Sequence, residues 1–104
     1  MSTKEPGRKV HEHIIGGLRY DTSTAQLLAS DRYWDGSNWE RQGRNTYLYK
    51  TPNGRFFTYH TTQWQGERDY IEPVEKPEAR ELWERLPEKE ASYLEAFGNE
   101  PEEA

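Results

Sequence analysis

The stretch Asn45-Thr46-Tyr47-Leu48-Tyr49-Lys50, followed by Thr51-Pro52-Asn53-Gly54 and then Arg55-Phe56-Phe57-Thr58-Tyr59-His60-Thr61-Thr62, decides the fold. Both flanking runs are rich in β-branched and aromatic residues, which suit a pleated, half-buried surface better than a helix. Between them Pro52 presets φ at the first corner of a turn, and Gly54 can take the left-handed position that makes a G1 bulge. The runs are therefore expected to be adjacent antiparallel strands, with Tyr49 opposite Phe57 and Tyr47 opposite Tyr59. Because side chains alternate along a strand, these four rings share one face of the sheet. Leu48, Phe56 and Thr58 share the other.

Working outward, Val10 to Tyr20 reads as a second hairpin, in which Ile14-Ile15 leads into Gly16-Gly17, a pair that supplies the positive φ angles of a two-residue turn, and Leu18-Arg19-Tyr20 returns. Asp21-Thr22-Ser23-Thr24 offers side-chain acceptors for a turn. Residues 25–33 fit either a strand or a short helix, because Ala25, Leu28 and Ala29 match the helical period while Leu28 and Ser30 barely test the alternating one, and a strand is preferred. Trp34-Asp35-Gly36-Ser37-Asn38-Trp39 is expected to be a loop. Asp69 to Val74 is expected to add a last short strand, ended by Pro73. Beyond it Pro77 suits a first helical turn, and Ala79, Leu82, Trp83 and Leu86 form one apolar stripe. Pro87 then breaks the chain and opens a second helix, Glu88 to Phe97, stopped at Gly98-Asn99. The fold class is α+β, a small antiparallel sheet of four to five strands packed by two C-terminal helices. A single domain over residues 10–98 is expected, flanked by a flexible tail at 1–9 and an acidic tail at 99–104.

The chain has 104 residues, and its hydrophobic fraction is only 32%, so the core must lean on four Trp, seven Tyr and three Phe. Without cysteine there is no disulfide, thiolate nucleophile or cysteine-based zinc site. The polar first residues hold neither a signal peptide nor a membrane span, and a host-cell cytoplasm is the expected setting. Charge is split along the chain. Residues 1–66 carry nine Lys/Arg against six Asp/Glu, whereas residues 67–104 carry five against thirteen. Such a division directs attention to a binding surface.

Gly17-Leu18-Arg19-Tyr20-Asp21-Thr22-Ser23-Thr24-Ala25, then Leu48-Tyr49-Lys50-Thr51 with Gly54-Arg55-Phe56-Phe57, then Ile71-Glu72-Pro73 and Glu78-Ala79, resemble an uncharacterised family of small phage, prophage and plasmid proteins. The resemblance spans roughly residues 14–97, and Tyr-Asp-Thr-x-Thr-Ala is its most specific part. That family has a longer glycine-rich loop after the Phe-Phe strand, where this chain has only Thr61 to Arg68. The resemblance carries over no catalytic or ligand residues. What it implies is a setting, because small acidic proteins of mobile elements often counter host defences by binding a defence complex, CRISPR effectors included.

Two surfaces stand out as candidates. Glu75, Glu78, Glu81, Glu84 and Glu88, with Glu100, Glu102 and Glu103 in the tail, can imitate a phosphate backbone toward a basic protein surface. The plainer reading is a solvated helix face, partly neutralised by Arg80, Arg85 and Lys89 through pairs such as Glu81 with Arg85. The second surface mixes Arg41, Arg44, Lys50 and Arg55 with Trp39, Tyr47, Tyr49, Phe57 and Tyr59, as in sheets that stack nucleic-acid bases. Here the plainer reading is core, since one ring face of a small sheet has to meet the helices.

Other constellations are weaker. His11 and His13 with His60 make a sparse metal set, and Asp31 to Gln42 fails as a calcium loop where Tyr33 and Gln42 replace oxygen ligands. Asp31, Asp35 and His60 can be imagined as an acid–base set, but no nucleophile elbow or phosphate loop accompanies them. The expectation is a protein without enzymatic activity or cofactor that binds and inhibits a protein partner, as an anti-CRISPR or other anti-defence protein does. Trp34, Trp39 and Trp64 are candidate anchors for that contact. The alternative is a single-stranded nucleic-acid binder, and a homodimer through an uncovered sheet face is a third possibility.

Overall fold

The computed structural model describes residues 12–31, 44–62, 66 and 68–103. The segments holding His11, Trp34, Asp35, Trp39, Arg41 and Trp64, the expected loop at 34–39 and the expected tail at 1–9 lie outside them. At the centre, β4 (Arg44–Lys50) and β5 (Phe56–Thr62) pair antiparallel, with Tyr49 opposite Phe57 and Tyr47 opposite Tyr59 as expected. Their turn closes through Gly54 N–H donating to Thr51 O at 2.9 Å and Thr51 N–H donating to Arg55 O at 2.7 Å. Gly54 stands at φ 88°, where a side chain is strained.

Two shorter strands flank this hairpin. β6 (Tyr70–Val74) pairs with β5, and β3 (Gln26–Ser30) pairs with β4, so the segment at 25–33 is a strand where described. β1 (Glu12–Ile15) and β2 (Leu18–Asp21) form a separate two-stranded hairpin with Ile15 opposite Leu18. Its turn glycines, Gly16 and Gly17, lie at φ 60° and 80°, the two positive angles that a type I′ connection needs.

The helices cover one face of the sheet. α1 (Lys76–Arg85) turns Ala79, Leu82, Trp83 and then Leu86 toward Leu28, Leu48 and Phe56, building the larger hydrophobic cluster. Burying one such Leu or Phe contributes about 1.5–3 kcal/mol. Lys89 Nζ contacts Leu86 O, sits 3.3 Å from Glu84 O and lies 4.9 Å from the Trp83 ring centroid. A cation there complements the negative end of the α1 dipole.

The second helix is shorter than its expected span of Glu88 to Phe97. Glu88–Lys89 is a two-residue strand, β7, which extends the sheet to the order β6-β5-β4-β3-β7, and α2 covers only Tyr93–Phe97. The physical reason lies in β3. A register shift between Leu27 and Ala29 buries Leu28 and Ala29 in succession, and the Leu28 carbonyl accepts from both Glu90 N and Ala91 N at 2.8 and 3.1 Å. Residues 88–91 thus satisfy an otherwise open sheet edge. The helix then starts at Ser92, whose hydroxyl accepts from Glu95 N–H while the Glu95 carboxylate accepts from Ser92 N–H. This is a capping box.

Candidate interaction surface

The four-ring face is the first place to look for a binding surface. Tyr49 stacks on Phe57 at 5.2 Å and 9°, and Tyr47 stacks on Tyr59 at 5.8 Å and 29°. The expectation that this face meets the helices is overturned. The β1–β2 hairpin lies over it instead, placing Tyr20 and Ile15 against Phe57, Tyr59 and Ile71. Phe57 is fully buried and Tyr59 is 8% exposed, while Tyr47 and Tyr49 are half-buried at the margin. A base-stacking platform needs free ring faces. Of the cations assigned to it, Arg55 is exposed in the β4–β5 turn, Arg44 pairs through its backbone with Thr62, and Arg41 lies outside the described residues.

The same geometry explains the Tyr20-Asp21-Thr22-Ser23-Thr24-Ala25 stretch. Tyr20 and Ala25 pack into the ring cluster on either side of a tight turn. Within the turn, Asp21 Oδ1 accepts from Ser23 N–H at 2.8 Å and Ser23 Oγ–H at 2.7 Å, and Asp21 O accepts from Ala25 N–H at 3.1 Å. These local bonds close the turn that leads from β2 into β3. Asp and Ser suit the task because their short side chains bond the backbone locally.

The acidic surface is built differently. On α1, Glu78, Glu81 and Glu84 are exposed, and at 3.6 residues per turn they fall within about 120° of arc, away from buried Ala79. Glu75, the N-cap residue, is exposed at the same helix's start. Arg85 projects into that arc, yet it does not pair with Glu81. Among the described residues the ion pairs are Arg19 with Glu12 at 2.8 Å and His60 with Glu72 at 3.8 Å, the latter conditional on a protonated imidazole. Like charges three or four residues apart on a helix destabilise it by about 0.2–0.5 kcal/mol per pair. A cationic partner would relieve that repulsion.

Two features of this surface escape the sequence pattern. Glu88 leaves the row, because it sits half-buried in β7 opposite Ser30. The tail joins it instead, with Glu100 and Glu102 lining a groove of about 680 Å³ together with Glu84, Arg80 and Tyr93. Arg80 Nε is buried there without a hydrogen-bond partner.

The two described histidines lie on different parts of the fold. His13 lies on the hairpin over the ring face, whereas His60 points to the helix-side face, and His11 lies outside the described residues. Among the described residues no three His, Asp or Glu side chains gather as metal donors, and no helix is long and apolar enough to cross a membrane. Asp31 is buried near His60, its Oδ1 accepting from Thr46 N–H at 2.9 Å and Asn45 Nδ2 at 3.1 Å. That carboxylate serves the fold by satisfying backbone and amide donors. No protein-family model, curated protein or solved structure matches the chain.

Proposed function

We propose that the protein is a non-enzymatic inhibitor that docks the acidic face of α1 and the adjoining tail on a basic surface of a protein partner. The observation that carries this reading is the arrangement of Glu78, Glu81 and Glu84, exposed and unpaired among the described residues, and continued by Glu100 and Glu102 across one groove. An array of carboxylates on a rigid helix competes for sites that otherwise hold nucleic-acid phosphates. The resemblance to phage and plasmid proteins directs this reading to nucleic-acid-binding defence complexes, CRISPR effectors among them, in the host cytoplasm. Base stacking on Tyr47, Tyr49, Phe57 and Tyr59 is less well supported, because the hairpin covers the centre of that face.

The test is a pull-down from nuclease-treated host lysate, followed by the triple charge reversal Glu78→Lys, Glu81→Lys and Glu84→Lys. The expected result is a stoichiometric protein partner whose binding weakens with added salt and is lost in the variant, while circular dichroism stays unchanged. Retention of the partner by the folded variant would rule out the acidic docking surface. Recovery of nucleic acid alone would favour the sheet.

A further inference from the structure

Among the described residues, the helices cover one end of their sheet face, over Leu28, Leu48 and Phe56. Four residues beyond Phe56 on β5, roughly 13 Å along the strand, His60 stands beside Thr46 of β4 and Tyr70 of β6. The imidazole stacks on Tyr70 with centroids 4.4 Å apart and 19° between the planes. Its Nε2 lies 2.8 Å from Thr58 Oγ1, and that hydroxyl donates to Glu72 O at 3.3 Å. Since the hydroxyl has one proton, Nε2–H is the donor to it, and Nδ1 is the acceptor 3.4 Å from Thr46 Oγ1. The ring is thereby held from three sides.

Beside it opens a cavity of about 440 Å³ lined by Asn45, Thr46, His60, Thr61, Thr62, Arg68 and Tyr70. Among the described residues this lining presents a guanidinium, an imidazole, hydroxyls and a carboxamide, and no carboxylate, in a chain of formal net charge −5. Three acids stand next to this lining, each with a partner: Asp31 accepts from Thr46 N–H and Asn45 Nδ2, Asp69 accepts from Thr62 N–H and the Tyr59 hydroxyl, and Glu72 lies 3.8 Å from His60 Nε2. The volume falls in the range of small-molecule sites and exceeds one oxyanion, and the half-exposed Tyr70 ring can cover an apolar portion.

We propose that this cavity binds a small organic oxyanion, a phosphate monoester or a carboxylate, with Arg68 as its counter-charge and Thr61 Oγ1 and the second Asn45 Nδ2 proton as orienting donors. The site is separate from the acidic face, and its test does not depend on that reading. The isotope-labelled full chain is titrated by NMR with inorganic phosphate and with acetate at constant ionic strength, using chloride as the reference anion. Expected are saturable shifts at Thr46, His60, Thr61 and Thr62, weakened at least about tenfold in Arg68→Gln and unchanged in Arg55→Gln. Arg68 is exposed, so its replacement leaves the fold in place. Saturation by phosphate alone or by acetate alone supports the site and identifies the headgroup. Shifts that chloride reproduces, that fail to saturate, or that survive Arg68→Gln would overturn it.

Discussion

The rings of Tyr20 and Phe57 meet edge to face, with centroids 5.5 Å apart and an interplanar angle of 72°. Tyr20 belongs to the hairpin and Phe57 to the middle of the main sheet, and both are buried. Removing Phe57 by Phe57→Ala should destabilise the protein by about 3–5 kcal/mol. A double-mutant cycle with Tyr20→Ala, followed by urea denaturation, should return a coupling of about 0.5–1.5 kcal/mol. Coupling near zero would mean that the hairpin is docked by its other contacts.

Tyr59 donates its hydroxyl to Asp69 Oδ2 at 3.1 Å, while Asp69 Oδ1 accepts from Thr62 N–H at 3.1 Å. Burial foremost, and then the Asp69 charge, push the phenol well above the ordinary tyrosine range. An acid whose folded pKa exceeds its unfolded value of about 10 contributes stability that is intact below pH 10 and lost as pH rises further. Absorbance titration should therefore show one tyrosine that ionises only as the protein unfolds in alkali. Tyr59→Phe should abolish that late step and destabilise the protein by about 1 kcal/mol at neutral pH.

The paired strands were legible because alternation and turn chemistry are local. Tyr47, Tyr49, Phe57 and Tyr59 could be placed on one face from spacing alone. What covers that face was not legible, since the contact of Tyr20 with Phe57 joins residues 37 positions apart and leaves no local pattern. The second helix was misread for a related reason. The pairing of residues 88–91 answers the Leu28 carbonyl, a tertiary demand, although Ser92-x-x-Glu95 carried a readable helix start. On the acidic surface, residue identities were legible but the fold of the tail toward Glu84 was not. Arg68 likewise shares a cavity with Thr46 and His60, a grouping that no local pattern announces.

That helix start has a measurable weight. Ser92→Ala removes the acceptor of Glu95 N–H and should destabilise the protein by about 1 kcal/mol. The loss should register globally, because α2 seats Phe97 on Phe56 at 5.4 Å. Glu95→Gln retains an acceptor for Ser92 N–H and should have a smaller effect. Equal effects in urea melts would indicate that the charge of Glu95 near the helix N-terminus matters more than its hydrogen bond.

His60 makes stability depend on pH with a definite sign. Burial lowers its pKa below the ordinary 6.5, and the charges of Glu72 and then Asp31 pull weakly the other way. A base with a depressed folded pKa binds fewer protons in the native state, so the unfolded state gains as acid is added. Stability is full above about pH 6.5 and falls as the pH drops from there through the folded value. His60→Gln keeps hydrogen-bonding groups beside Thr58 and Thr46 but cannot titrate. Urea midpoints at pH 7.5 and pH 5 should therefore fall further for the natural chain than for His60→Gln, with the carboxylates common to both cancelling in the comparison. A steeper fall in the variant would show that the Glu72 carboxylate, 3.8 Å from Nε2, outweighs desolvation.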